Sequence, residues 1–256
     1  MSSGTWKGYL SVVCAALLWA SCGTAGKALI NAGMSPLVLV QTRATFAPLI
    51  LVAVLLAWRP RLLRIGARDV PRFLLLGGVF TALMQLSYFL AISRIQVASA
   101  ILIEYLAPVI VVGYSMLFWR ERVTAGKLAA LVLSVGGCWL VVGGYNLELL
   151  SQNRVGILWA FVSALAFAAT TLYSEKMMHS HHTVTSLAYG LLFAALTLNL
   201  VHPPLSILSE TCTPRQWAIL SYVVVFGTLA PFGLYLAGVN YIRSTRTIIT
   251  ATLEPI

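Results

Sequence analysis

Residues 8–26, GYLSVVCAALLWASCGTAG, and residues 156–174, GILWAFVSALAFAATTLYS, decide the fold. Both are uncharged, both closely follow a basic residue (Lys7 and Arg154), and they lie 148 residues apart. Laying Gly8 on Gly156 also pairs Leu10 with Leu158, Ala16 with Ala164, Leu17 with Leu165, Trp19 with Phe167 and Ala20 with Ala168. A second anchor follows downstream: Leu90-Ala91 matches Leu236-Ala237, and Leu106-Ala107-Pro108 matches Leu253-Glu254-Pro255. The chain therefore reads as two related halves, residues 1–147 and residues 148–256.

Composition identifies the solvent. The chain is 59% hydrophobic and 9% charged, against about 25% charged in soluble domains. A helix needs about 20 mostly apolar residues to cross a bilayer. Uncharged runs cover Gly8–Gly26, Phe73–Ser93, Leu128–Leu147, Val155–Ser174, Thr183–Val201 and Gln216–Ile242. Two more carry one ionisable residue each: Pro36–Trp58 with Arg43, and Ile95–Trp119 with Glu104. A ninth begins near Thr247. A soluble fold has too little polar sequence left to cover so many such segments. The expected fold is an all-α polytopic membrane protein, two antiparallel five-helix repeats with the second incomplete and about nine spans present. The first run exceeds the 7–15 residues of a signal-peptide core and reads as a retained span. Cys14, Cys22, Cys138 and Cys212 form no CxxC pair and read as small apolar filler.

The net charge of +10 is a topology signal and does not point to nucleic acid. Inside-facing loops collect Lys and Arg. With a cytoplasmic N-terminus, twelve basic residues fall inside: Lys7, Arg59, Arg61, Arg64, Arg68, Arg72, Arg120, Arg122, Lys127, Lys176, Arg243 and Arg246. Four fall outside, namely Lys27, Arg94, Arg154 and Arg215, and Arg43 lies within a span. The loop after the second span carries five Arg, whereas Pro203–Arg215, its counterpart, carries only Arg215. An odd number of spans per half turns the second half upside down, and the charges invert with it. The first half runs 37 residues beyond Pro108 to Tyr145, whereas one residue follows Pro255. The repeat thus predicts a continuation of about 35–40 residues holding one further span.

These features resemble the drug/metabolite transporter superfamily, of the EamA type, over essentially the whole chain. The resemblance rests on Ala16-Leu17-Leu18-Trp19, on Arg43 and on Tyr88-Phe89-Leu90-Ala91 before Val97-Ala98-Ser99-Ala100. Pro108, Arg120-Glu121-Arg122-Val123-Thr124 and Leu253-Glu254-Pro255 complete it. It implies ten spans, inverted repeats and a secondary carrier or exporter of small metabolites in the plasma (inner) membrane. Duplicated halves of this kind rock about a shared central site. The expected partners are a small-molecule substrate, protons as coupling ion and the bilayer. No cofactor or metal is expected, and the chain has no Walker lysine loop and no GxSxG; the alternatives to a carrier are a membrane-embedded enzyme acting on lipid and a non-transporting membrane subunit. One departure is visible. Ala107 stands where the second copy has Glu254, which excludes a symmetric two-carboxylate site at that position.

The candidate substrate-binding residues are Trp19, Arg43, Gln85, Tyr88, Glu104, Tyr105, Phe167 and Tyr235. An intramembrane charge costs at least about 2.5–3.5 kcal/mol at the bilayer centre, so it must face protein, water or a partner. Arg43 reads either as an anion contact in a central cavity or as an anchor to helix-end carbonyls or headgroups. Glu104 reads as a proton-coupling carboxylate, an amine contact, an ion-pair partner of Arg43 or a packed neutral group. Glu104 and Pro108 share a helix face, and Pro108 can bend its helix and free a carbonyl. Gln85 and Tyr88 also share a face. Trp19, Tyr88, Tyr105, Phe167 and Tyr235 supply aromatic walls suited to an amphipathic molecule; the other reading of them is ordinary packing. His179, His181 and His182 read as a solvated loop.

Overall fold

The computed structural model describes residues 3–120, 124–141, 153–203, 206–209 and 212–254. The expected half boundary at 147/148, the loop 146–154, the motif residues 121–123 and Pro255 lie wholly or largely outside the described residues. The helices are α1 (Ser3–Asn31), α2 (Pro36–Trp58), α3 (Val70–Phe73), α4 (Ala82–Arg94), α5 (Val97–Glu104) and α6 (Ala107–Phe118). After them come α7 (Ala125–Val141), α8 (Arg154–Met178), α9 (Thr183–Val201), α10 (Pro214–Val224) and α11 (Ala230–Ala251). No strand occurs among the described residues. In hydrocarbon every backbone N–H and C=O must be bonded within the protein, which leaves helices as the solution for such runs.

The chain is a polytopic membrane protein. Among the described residues, seven helices are long and apolar enough to cross a bilayer: Gly4–Asn31, Pro36–Trp58, Ala67–Arg94, Val97–Phe118, Arg154–Met178, Thr183–Val201 and Pro214–Ala251. The expected fifth span corresponds to α7, described as far as Val141; residues 142–152 lie outside the described residues. The expected runs Gln216–Ile242 and Thr247 onward form one long helix broken at Arg243, where φ is +66°.

Two spans are wound wide, with π-helical turns at Leu74–Thr81 and Val225–Leu229. In each a threonine hydroxyl donates to a carbonyl five residues back: Thr81 to Leu76 at 2.9 Å and Thr228 to Val223 at 2.9 Å. These pairs are 147 residues apart, as are Pro108 and Pro255 and the helix ends at Glu104 and Ala251. The register through this region is therefore 147 throughout. It matches Tyr88 to Tyr235 and Leu90 to Ala237, one residue off the sequence pairing of Leu90 with Leu236.

The halves interlock. α1 packs along α11 and α8 along α4. A Cβ added at Gly8 would stand 2.7 Å from Ile242 Cγ2, and one at Gly156 would stand 2.7 Å from Ile95 Cγ2. Glycine is needed at both positions for the same close approach. Lys27, at the end of α1, donates to the carbonyls of Ile92 and Ile95, while Gly156, at the start of α8, lies against Arg94 and Ile95. The end of α1 and the start of α8 thus meet at one end of α4, so α1 and α8 run in opposite directions. Glu175, 148 residues after Lys27, accepts from Ser244 N–H at 2.7 Å and holds the break at Arg243. Exposed Leu10, Leu17, Leu56, Leu133 and Leu165 suit a surface facing lipid.

Candidate functional site: a mid-membrane cavity between the halves

Span four stops and restarts at its middle. α5 ends at Glu104, Tyr105 and Leu106 leave the helix, and α6 begins with Pro108 in its first turn. Proline has no N–H and cannot continue the ladder. In the second half α11 likewise ends at Ala251, and Thr252–Glu254 leave the helix just before Pro255. These two helix ends bring two carboxylates to one cavity of about 70 Å³, lined by both Glu104 and Glu254. The sequence excluded only a symmetric pair. The two acids reach the cavity from non-equivalent positions, Glu104 as the last residue of α5 and Glu254 in the turn that follows α11.

Glu104 accepts a hydrogen bond from Ser163 Oγ on α8. Glu254 Oε2 accepts from the Tyr105 hydroxyl at 3.2 Å, and Tyr105 also donates to Ala251 O at 3.1 Å. Tyr105 therefore braces the second helix end against the first and does not line the cavity.

Arg43 is buried, with Nε donating to Thr228 Oγ1 at 2.9 Å and Nη2 to Gly227 O at 3.2 Å. Its guanidinium sits 4.9 Å from the centre of the Phe89 ring. Its partners are thus the wide turn and an aromatic face, and no ion pair with Glu104 forms. The wide turn supplies a carbonyl and a hydroxyl, which is why this buried charge is tolerated. Arg43 also lines the cavity, so anchoring and cavity lining coexist in one residue.

Gln85, 2% exposed, lines the same cavity, and neither its amide nitrogen nor its oxygen has a partner. Leaving such groups unmet costs about 1–3 kcal/mol each. Tyr88, Trp19 and Phe167 complete the expected lining. Tyr235 lies behind them, its hydroxyl 2.8 Å from Thr171 Oγ1 and its ring 5.2 Å from Trp19. Six of the eight expected residues thus line one cavity. Sequence reading missed Cys22, Phe89, Phe232 and Glu254 in the lining. Phe232 was findable as the repeat mate of Gln85, once the register is 147.

Among the described residues no group of three His, Cys, Asp or Glu side chains gathers for a metal. The histidine loop is partly anchored: His181 Nε2 lies 3.1 Å from Asp69 Oδ2, its ring packs on Phe73, and His182 caps α9.

The EamA-like transporter family matches residues 6–143 and again residues 154–256. The "Uncharacterized inner membrane transporter YicL" of Salmonella typhimurium is 28% identical over 258 residues, covering 98% of this chain and 85% of that protein. An "Uncharacterized transporter" of Archaeoglobus fulgidus is 34% identical over 194 residues, covering 74% of this chain and 67% of that protein. The "Pseudopaline exporter CntI" of Pseudomonas aeruginosa is 27% identical over 188 residues, covering 73% and 63%. A crystal structure superposes with a TM-score of 0.73 at 20% identity, covering all of this chain and 85% of the other, and shares its fold. With two family matches, a span broken after Glu104 and a cavity lined by Arg43, Gln85, Glu104 and Glu254, this chain belongs to the EamA-like transporter family.

Proposed function

We propose that the protein is a secondary carrier that exports a small amphipathic metabolite, such as an amino acid or a related compound, by alternating access between two inverted halves. The N-terminus is cytoplasmic, following the twelve-to-four distribution of basic residues. The observation that carries the reading is Gln85, buried with both ends of its amide unmet, beside Arg43, Glu104 and Glu254. In this reading Gln85 and Arg43 receive the substrate's acceptor groups, the carboxylates receive an amine, and Trp19, Tyr88 and Phe167 cover its apolar part. Export and the inner membrane draw support from the names of CntI and YicL. Glu104 also serves as the proton-exchanging group, because a proton-coupled carrier needs a carboxyl that meets both sides in turn.

Full-length protein in sealed liposomes, assayed with radiolabelled amino acids across a pH series, tests this. Wild type should move at least one of them above protein-free liposomes. Glu104→Gln should keep transport and lose its pH dependence. Loss of transport at every pH in a folded variant would make Glu104 a binding group only. Wild-type flux with an unchanged pH profile would remove Glu104 from the site.

A further inference from the structure

A second, narrower cavity, of about 20 Å³, lies behind Phe167 and Phe232, which line both cavities. It is the first cavity's repeat mate. Trp19, Arg43, Gln85 and Tyr88 line the first; Phe167, Gly190, Phe232 and Tyr235, 148 or 147 residues later, line the second. Each substitution across the pairs removes charge or polarity, arginine to glycine and glutamine to phenylalanine above all. Two buried hydroxyls point the other way. Thr170 and Ser186, 7% and 1% exposed, line the second cavity and have no hydrogen-bond partner. The Tyr235 hydroxyl is already committed to Thr171.

The two cavities lie toward opposite ends of the molecule. Ser186 sits beside Thr185, which donates to Leu62 O in the five-arginine loop at 2.8 Å. Tyr88 and Phe89 sit on the part of α4 that leads to Ile92 and Ile95, where Lys27 closes the other end. Between the cavities stands an aromatic wall. Trp19 lies 6.1 Å from Phe167, 5.3 Å from Phe232 and 5.2 Å from Tyr235, measured between ring centres.

We infer that the second cavity is the vestibule facing the five-arginine loop and a binding subsite for the uncharged, hydrogen-bonding part of the substrate, with this aromatic wall as the gate between the two. The inference rests on the carrier reading above. Thr170 and Ser186 would serve a carbonyl, amide or hydroxyl group in passage. No ionic contact would hold the substrate there, so the charged groups engage only in the first cavity.

Accessibility labelling tests it on the full-length protein with its native cysteines replaced, in sealed vesicles, using a membrane-impermeant thiol reagent. Arg64→Cys reports which side the five-arginine loop faces. Ser186→Cys, or Thr170→Cys if that variant fails to fold, should label only from the Arg64 side, and Gln85→Cys only from the opposite side. Adding Phe232→Ala should abolish that sidedness, admitting the reagent to Gln85→Cys from both. Labelling of Ser186→Cys only from the far side, or no labelling while Gln85→Cys and Arg64→Cys react, would overturn the proposal. So would a Phe232→Ala variant that keeps full sidedness. The readout needs no substrate, so a failed flux assay removes the carrier reading separately from a failed labelling pattern.

Discussion

Two spans are wound wide at matching places, Leu74–Thr81 and Val225–Leu229, and the chain covers the two segments by different means. Over the second lies Arg43, whose guanidinium bonds Thr228 and the Gly227 carbonyl. Over the first lies Gly190, the repeat mate of Arg43, with its backbone pressed directly on Gly77. The same position in a duplicated fold is thus filled once by a charged side chain and once by bare backbone. The difference teaches where polarity enters the molecule. The arginine solution delivers a cation to the first cavity, and the glycine solution leaves the second cavity without one.

The backbone solution should be the more brittle. A Cβ added at Gly77 would overlap the Gly190 carbonyl oxygen and stand 2.9 Å from Phe193 Cβ. Backbone cannot swing aside as a side chain can, so Gly77→Ala should cost about 3 kcal/mol, the upper end of ordinary overpacking, seen as loss of folded protein in detergent. Gly190→Ala sharpens the contrast. Its Cβ would meet nothing closer than Leu76 Cδ2 at 3.8 Å, and thermal stability should stay within about 0.5 kcal/mol of wild type. Equal damage from both changes would break the comparison.

Arg43→Lys probes the other solution. Lysine keeps the charge and loses the planar fork that reaches both Thr228 and Gly227. One charge-assisted bond lost corresponds to about 1.5–3 kcal/mol, read as a lower melting temperature. An unchanged melting temperature would mean that the wide turn does not depend on the guanidinium. Tyr105→Phe should cost less than Arg43→Lys, about 1 kcal/mol for its bonds to Ala251 and Glu254, with flux falling because Glu254 is freed to reorient. Full wild-type stability and flux would remove Tyr105 as a brace.

The outline of the spans was legible because hydrophobic runs of bilayer length leave the backbone one solution. Gly8 and Gly156 marked the repeat because both serve the same close approach. The wide turns were not legible, since an added half-turn leaves no mark in an apolar run; only Thr81 and Thr228, bonding five residues back, betray them. Missing them left the pairing of Leu90 with Leu236 one residue out, and Phe232 went unseen with it. Arg43 and Glu104 were found as charges in spans, but their partners were not, because a hydroxyl or carbonyl partner has no sequence signature. Tyr105 and Tyr235 were placed in the cavity by type, whereas their hydroxyls are committed to Glu254 and Thr171. Glu254 was visible as the mate of Ala107, and position alone did not bring it to the side of Glu104.

The central claim is that Gln85 is kept polar for a ligand at a cost to stability, and Gln85→Leu tests it most directly. Replacing an unmet buried amide by an apolar group of similar size is neutral or stabilising, whereas a structural glutamine would be missed. Melting temperature and flux measured together on full-length protein decide the matter. The account predicts a melting temperature equal to or above wild type with flux lost. A lower melting temperature with flux retained would contradict it.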